Sequence, residues 1–521
     1  MSEASAVVEL LPRIATMPTR GNADTYRMTP ERAREVRERL CHELLSVVPV
    51  SYLFPASVVP SVPEAYALLD KYDWHISQAQ QRADALANMQ DSASEPLQPE
   101  YSKNRRGMAC GHVFRKGEPI FRCHDCSYDD TCVQCAMCYR HSIHALENHD
   151  VVFSVADDGD ACCDCGDDEA WNSDLGCEFH SLHPWNERDQ EASTASNHAS
   201  SEQTLDDIMA AVPDSVRHAL SEFCAMLMAF LLETLLHAPK QTQIVIGPDV
   251  VDSIKRQPTY ESAFPAKGKA RLDGDDGQES PPLFVALLWN DEKHSFNEVS
   301  DKILEVCSSL TPKDARHFAE MVDRQGRQVV SMSEDVRRLV IMARRIGVIY
   351  LLVTVQHAFD YFVEEVAGCV LSFIAELASA SLYNTSGPSP NGRAIKALIT
   401  STFMRPWRVA EWTEAPATMR RDLFDPSHLC MLDTLLLLDT KMWKGARLQM
   451  RHLILDLLAC REAKRQIALQ FSVVYPRLIE TFILHDREPE HSVYHMAVQL
   501  FSVPSIFFLP PVGGGRALLV V

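Results

Sequence analysis

The sequence predicts a mixed chain of helices and small α/β units: a module stapled by cysteines and histidines, a compact α/β domain and a mainly α-helical scaffold. Three observations lead there. Ten of the sixteen cysteines fall between Cys110 and Cys177, interleaved with histidines. Residues 283–355 alternate strand-like and helix-like apolar spacing in the order β-α-α-β-α-β. From residue 356 to about residue 499 the spacing is helical almost throughout, interrupted near residues 386–393 and without a fixed-period repeat.

In chain order, residues 1–28 show no periodic apolar pattern and read as a mobile start. Thr29-Pro30-Glu31 then opens a helix to about Val48, with Thr29 as N-cap and Pro30 in the first turn. A second helix is expected over residues 63–89. Residues 191–204, rich in Ser, Ala and Asn, read as a linker. Residues 205–237 carry Leu, Met, Phe and Ala three and four apart and read as a long helical region. Residues 265–282, rich in Gly, Asp, Lys and Pro, read as a disordered insertion. Within the α/β unit, strands are expected at 283–289, 328–331 and 348–354. Its helices are expected at 298–308, at 312–323 and from a Ser333 cap to residue 345.

The expected divisions are 1–107 (extension and helices), 108–182 (cysteine module), 183–204 (linker), 205–264 (helical connector), 265–282 (insertion), 283–355 (α/β domain) and 356–521 (helical scaffold). Residues 501–521 are largely apolar, which reads as a scaffold truncated from a longer polypeptide or a divergent end.

A formal net charge of −21, with 71 acids against 50 bases, disfavours nucleic acid, whose phosphates need Lys/Arg patches. The expected ligand is cationic. Residues 1–20 lack an apolar signal-peptide core, and no window reaches eighteen uninterrupted apolar residues. No membrane partner is expected, and the location reads as cytoplasmic, with the nucleus as an alternative. No nucleophile, base and orienting residue can be placed together, so no catalytic residue is assigned.

The cysteine module reads Cys110, Cys123, Cys126, Cys132, Cys135, Cys138, His141, His144, His149, Cys162, Cys163, Cys165, Cys177, His180. Cys123-x-x-Cys126 and Cys135-x-x-Cys138 each let one backbone turn aim two thiolates at a single ion. Without a secretory signal, such a cluster argues for structural Zn2+ over disulfides. The metal would supply most of the folding energy of a segment that lacks an apolar core.

Cys110-Gly111, Cys123-x-x-Cys126, Asp129-Asp130-Thr131-Cys132, Cys135-x-x-Cys138, Cys163-Asp164-Cys165-Gly166-Asp167-Asp168-Glu169-Ala170-Trp171 and Cys177-x-x-His180 together resemble the UBR box of the N-recognin ubiquitin ligases. The resemblance implies three zinc ions. Cys123, Cys126, His144 and His149 would hold the first. Cys110, Cys135, Cys138 and Cys163 would hold the second, and Cys138, Cys165, Cys177 and His180 the third. Cys132 and Cys162 fall outside these sets. The family usually carries His-x-x-His, which leaves His141 as an alternative to His144 or His149. It also implies a reader of protein N-termini. Asp164 and the carbonyl of Cys162 would accept the α-ammonium, while Asp129, Thr131 and Asp167 would bind a basic side chain. Asp130, Asp157, Asp158, Asp160 and Asp168 would add only a diffuse attractive field.

Trp289-Asn290-Asp291-Glu292-Lys293-His294 and Val322-Asp323-Arg324-Gln325-Gly326 resemble the adaptor fold of ClpS, found in N-recognins after the UBR box. The resemblance implies a site for bulky hydrophobic N-termini. Asn290 and Asp291 would bind the α-amine, with Asp323 where the family has histidine, and His294 and Phe296 would line the pocket. The residue-level alternative is that Asn-Asp is simply a turn. The helical segment after residue 356 resembles the scaffold of the same ligases through Met442-Trp443-Lys444 and Gln499-Leu500-Phe501.

The expected function is the substrate-recognition part of an N-recognin, a RING-type ubiquitin-protein transferase by resemblance. Its substrates would be proteins with destabilising N-terminal residues. Its E2 partner would dock through a RING, for which the isolated Cys224, Cys307, Cys369, Cys430 and Cys460 offer no pairs, so this chain is expected to bind without transferring. The alternatives are a non-ligase zinc reader of basic N-termini such as histone tails, and an inert scaffold.

Overall fold

The computed structural model describes residues 5–19, 21–49, 52, 101, 106–114, 118–129, 131–145, 149–156, 161–184, 204–210, 212–239, 249–260, 281–307, 310–379, 392–407, 429–486, 488, 492–497 and 500. The expected helix at 63–89, most of the 191–204 linker and the 265–282 insertion, and the 501–521 end lie outside them, as do Asp130, Asp157, Asp158 and Asp160.

The N-terminal segment is helical, contrary to the expectation of a mobile start. Helix α1 (Ala6–Ile14) has Ser5 as N-cap and buries Val7, Leu10, Leu11 and Ile14 completely. These positions follow the i, i+3, i+4, i+7 pattern. Its first N–H groups are met by Glu233: Ala6 N and Val7 N donate to that carboxylate at 3.2 and 3.1 Å. A carboxylate there also suits the positive end of the helix dipole. Helix α2 (Pro30–Val47) starts at the Thr29 cap, whose side chain accepts from Arg32 N.

In the cysteine module, β1 (Pro119–Cys123) is the centre of a three-stranded antiparallel sheet between β2 (Gln134–Cys135) and β3 (Val151–Val155). Helix α3 (Ala136–Arg140) follows β2 directly. The expected helical region at 205–237 is split into α4 (Leu205–Ala210) and α5 (Asp214–His237), with Pro213 capping the second.

After α6 (Val250–Arg256), the α/β unit runs β4 (Phe284–Trp289), α7 (Phe296–Val306), α8 (Pro312–Gln325), β5 (Arg327–Ser333), α9 (Val336–Gly347) and β6 (Val353–His357). Both outer strands pair antiparallel with β4, giving the order β5-β4-β6. Capping boxes fix two helix starts, Ser295 with Glu298 and Thr311 with Asp314. Two details differ from expectation. Asp335, not Ser333, caps α9, accepting from Arg337 N and Arg338 N. The last strand starts at Val353, because residues 348–350 form a turn in which Tyr350 has φ of 69°. All six residues of β4 are buried, as a strand covered on both faces requires. Phe284, Ala286 and Leu288 face α7, α8 and α9, while Val285 and Leu287 pack with Tyr361.

The remaining helices are α10 (Ala358–Ser379), α11 (Gly392–Phe403), α12 (Met431–Leu437), α13 (Lys444–Leu458) and α14 (Arg461–His485). One apolar core unites them with α1, α2 and α5, so segments far apart in sequence form one body. α5 and α14 are each long and apolar enough, by length and composition, to cross a bilayer, but 67% of that stretch of α5 is buried in this core. Gly368 of α10 meets the Trp443 indole just before α13, which a Cβ would approach to 2.7 Å.

Arg327 joins the α/β unit to this core. It is 3% exposed and pairs with Glu364 and, at 2.6 Å, with Glu365 of α10. Its guanidinium lies 3.8 Å from the centre of the Trp443 ring. Removing one partner of a buried pair leaves an uncompensated charge. Arg327→Met should therefore lower unfolding free energy by about 3–5 kcal/mol, measured by urea denaturation.

Candidate metal centre and adjoining acidic site

Three sets of four side chains converge in the cysteine module: Cys123, Cys126, His144 and His149; Cys110, Cys135, Cys138 and Cys163; and Cys138, Cys165, Cys177 and His180. Within each set the donor atoms all lie within 4.8 Å of one another. Cys126 Sγ is 3.2 Å from His149 Nδ1, Cys138 Sγ 3.3 Å from His180 Nδ1, and Cys177 Sγ 3.6 Å from the same nitrogen. A tetrahedral zinc with ordinary bond lengths separates such donors by roughly 3.6 Å. The donors thus fit zinc in number, type and spacing.

Local structure makes each set. Cys123 ends β1, and the following turn brings Cys126 beside it. Cys135 caps α3, its Sγ accepting from Cys138 N at 3.5 Å. Gln134 Oε1 holds His144 Nδ1, which leaves Nε2 for a metal. Gly166 has φ of +84°, and a Cβ there would come within 2.5 Å of the Met108 carbonyl. His141 stands apart, 3.0 Å from Glu178 Oε2, and joins none of the sets. Cys132 is also outside them, its Sγ donating to Asp129 Oδ1 at 3.6 Å, as is Cys162. Burial, with Cys135 alongside, pushes the Cys110 thiol up to about 12. A divalent cation reverses that cost by stabilising thiolates.

The acidic residues lie between these ligands. Asp129 Oδ1 accepts from Thr131 N at 2.7 Å and Thr131 Oγ1 at 2.5 Å. Burial works against its charge, but these bonds and those of Cys132 hold its carboxyl below the usual range. Asp164 Oδ2 accepts from Val133 N at 2.8 Å, and its own N–H donates to the Val133 carbonyl. Burial pushes its carboxyl up to about 7, Lys464 opposing the rise while Asp167 and Asp129 add to it. Asp167 Oδ1 accepts from Glu169 N, and Oδ2 accepts from Lys464 Nζ at 2.8 Å. Cys162 pairs in a β-bridge with Val113. Asp129, Asp164 and Asp167 thus share one acidic site, and Lys464 enters it from the helical core. No sequence signal marked Lys464.

In the α/β unit the polar groups of the Asn290–Asp291 turn bond within the protein. Asn290 Nδ2 donates to Glu488 Oε1 at 2.8 Å, another contact that the sequence did not announce. Asp291 accepts from Lys293 N and His294 N, and its Oδ2 lies 2.8 Å from His294 Nδ1. His294 Nε2 lies 2.6 Å from the Ile349 carbonyl. Asp323, where a histidine was the family expectation, lies 3.7 Å from Lys444 Nζ. Phe296 is 47% exposed at the start of α7. The Asp291 carboxylate is therefore engaged within its own turn, and the Asn290 amide nitrogen is held by Glu488, whose carboxyl burial pushes up to about 7.

A cysteine module with three ligand sets beside an acidic notch, an adaptor-like α/β unit and a helical frame define a zinc-binding class of protein. Comparison with known proteins points to the family. Residues 109–180 match the zinc finger of N-recognins, the UBR box. Residues 279–338 match the Clp protease adaptor protein ClpS, and residues 388–509 the UBR1/2/3-like ARM repeat domain, where no fixed period was legible. The E3 ubiquitin-protein ligase ubr1 of Schizosaccharomyces pombe is 24% identical over 78% of this chain and 22% of its own length. The E3 ubiquitin-protein ligase UBR1 of Drosophila melanogaster is 25% identical over 80% of this chain and 19% of its own. Human E3 ubiquitin-protein ligase UBR2 is 25% identical over 77% and 19%. Three family models in succession along the chain, with these relatives, support membership of the N-recognin family, and the UBR-box match with the ligand sets supports zinc binding. It spans about a fifth of the length of these curated relatives.

Because Cys138 belongs to two ligand sets, Cys138→Ser should remove more bound zinc than Cys126→Ser, as read by elemental analysis. Cys132→Ser should leave zinc content unchanged.

Proposed function

We propose that this chain is the substrate-recognition part of an N-recognin ubiquitin ligase, reading basic N-terminal residues in its UBR box with three zinc ions holding the site. The observation that carries this is the convergence of Asp129, Asp164 and Asp167 beside the triple ligand set. A protein's first residue differs from all others by its α-ammonium, and an N-terminal Arg, Lys or His adds a second cation. Preformed carboxylates at adjacent positions answer both charges, since charge-assisted hydrogen bonds are the strong ones. The similar proteins are E3 ubiquitin-protein ligases, which supports delivery of the bound protein for ubiquitination; on this proposal transfer needs an E2 docked through a RING.

Bulky hydrophobic N-termini belong, on the same proposal, to the ClpS-like unit. Its support is the family match and the exposed Phe296 beside the turn. The internal bonds of Asn290, Asp291 and His294 make the Leu-initiated ligand the more exacting test.

The test is affinity of the zinc-loaded chain for peptides differing only at the first residue. Arg-initiated peptide should bind, and acetylating its α-amine should weaken it more than about a hundredfold, two charge-assisted bonds being worth roughly 3–6 kcal/mol. Asp167→Ala should remove Arg binding and spare Leu binding, whereas Asp291→Ala should do the reverse. Equal affinity for Arg, Gly and acetylated Arg would leave a zinc scaffold. Binding of basic histone-tail N-termini in preference to other Arg-initiated sequences would favour the non-ligase reader.

A further inference from the structure

The acidic site of the UBR box already holds a cation. Lys464 lies in the first turn of α14, on the helical core, yet its ammonium is 2.8 Å from Asp167 Oδ2. Its side chain is 15% exposed and that of Asp167 12%. Burial works against the ammonium, but Asp167 first and Asp164 next raise it above the usual lysine range. The acids that would meet an incoming N-terminus are therefore those that hold this side chain.

The surroundings aim Lys464 there. Ala459, at the turn before α14, touches Gly111 so closely that a Cβ on that glycine would lie 2.4 Å away. Arg461 sits 3.7 Å from Glu169 Oε1, beside the same notch. A tethered cation acts as a ligand at high effective concentration. Two cations cannot share one Asp167 carboxylate without strong mutual repulsion in a buried setting.

We propose that Lys464 is a built-in competitor in the N-terminus-binding site: an N-terminal ligand binds by displacing its ammonium from Asp167, so this one residue sets the affinity threshold of the site. It rests on the UBR box reading N-termini. A ligand bringing one ammonium replaces like with like, whereas an N-terminal Arg or Lys brings two cations to three carboxylates. Lys464 thereby raises the bar so that only the doubly charged N-termini clear it. Competition of this kind lowers the affinity of every displacing ligand by the same factor, which is its signature.

The experiment uses the full zinc-loaded chain with Arg-initiated and Lys-initiated peptides. Lys464→Met keeps most of the side-chain stem and removes the charge; it should tighten both peptides by one common factor of at least about tenfold, the worth of one charge-assisted bond. Lys464→Arg keeps a competing cation and should give no such gain. A second readout needs no variant. Acylation of Lys464 by an amine-reactive ester, followed by mass spectrometry, should be slow in the free chain and several times faster with saturating Arg-initiated peptide. If wild type binds the peptides, but Lys464→Met leaves both affinities unchanged or weaker and Lys464 stays protected at saturation, Lys464 is a fixed docking contact and the proposal is wrong. If no peptide binds to wild type or to Lys464→Met, the N-terminus reading itself fails and takes the proposal with it.

Discussion

The cysteine module depends on one constraint: its buried thiols and imidazoles converge in sets of four that only a cation reconciles. Cys138 carries the constraint furthest, since its sulfur belongs to two sets. Coordination at those sets would fix the shape of the acidic notch. Asp164 stands between Cys163 and Cys165, which belong to the second and third sets, and Thr131 and Asp129 follow the turn that starts at Cys126. The acids therefore cannot drift apart to relieve their repulsion, and a site pre-shaped for positive charge results. Preorganisation of this kind strengthens recognition because little ordering remains to be done on binding.

The helical core treats the two small modules in opposite electrical senses. To the acids of the UBR box it presents Lys464, and to the Asn290 amide of the α/β unit it presents Glu488. Glu488 is buried and Lys464 mostly so, and each comes from the C-terminal part of the core, from α14 or just beyond it. Arg327 supplies a third charged contact, pinned between α10 carboxylates and the Trp443 ring. Polar, geometrically demanding contacts define how the modules sit, while the apolar core supplies the bulk of the stability.

What the sequence disclosed followed the range of the interaction. The ligand spacing, the Thr29 cap and the apolar run of β4 are local, each set by neighbours within a few residues, and all were legible. The start of the third strand of the α/β unit was misjudged because Val348 and Tyr350 look strand-like while the chain there turns through a positive φ. Helix α1 escaped notice because its nine residues are too short to show a period beside the polar stretch that follows, although its four buried positions keep helical register. The single core shared by α1, α2, α5 and the C-terminal helices left no local trace. Nor did Lys464 and Glu488, which reach partners 297 and 198 positions away. A lone lysine at a helix start carries no pattern.

Gly326 has a wider bearing than its place in a turn. It ends α8 at φ of +82°, and a Cβ there would lie 2.4 Å from Lys444 N, so the backbone of the α/β unit rests directly on the start of α13. A contact without an intervening side chain has almost no play. The pose of the unit is thus written into its seat. Any side chain at position 326 would lift the unit off the start of α13, so a freedom that most turn positions enjoy is withheld at this one glycine.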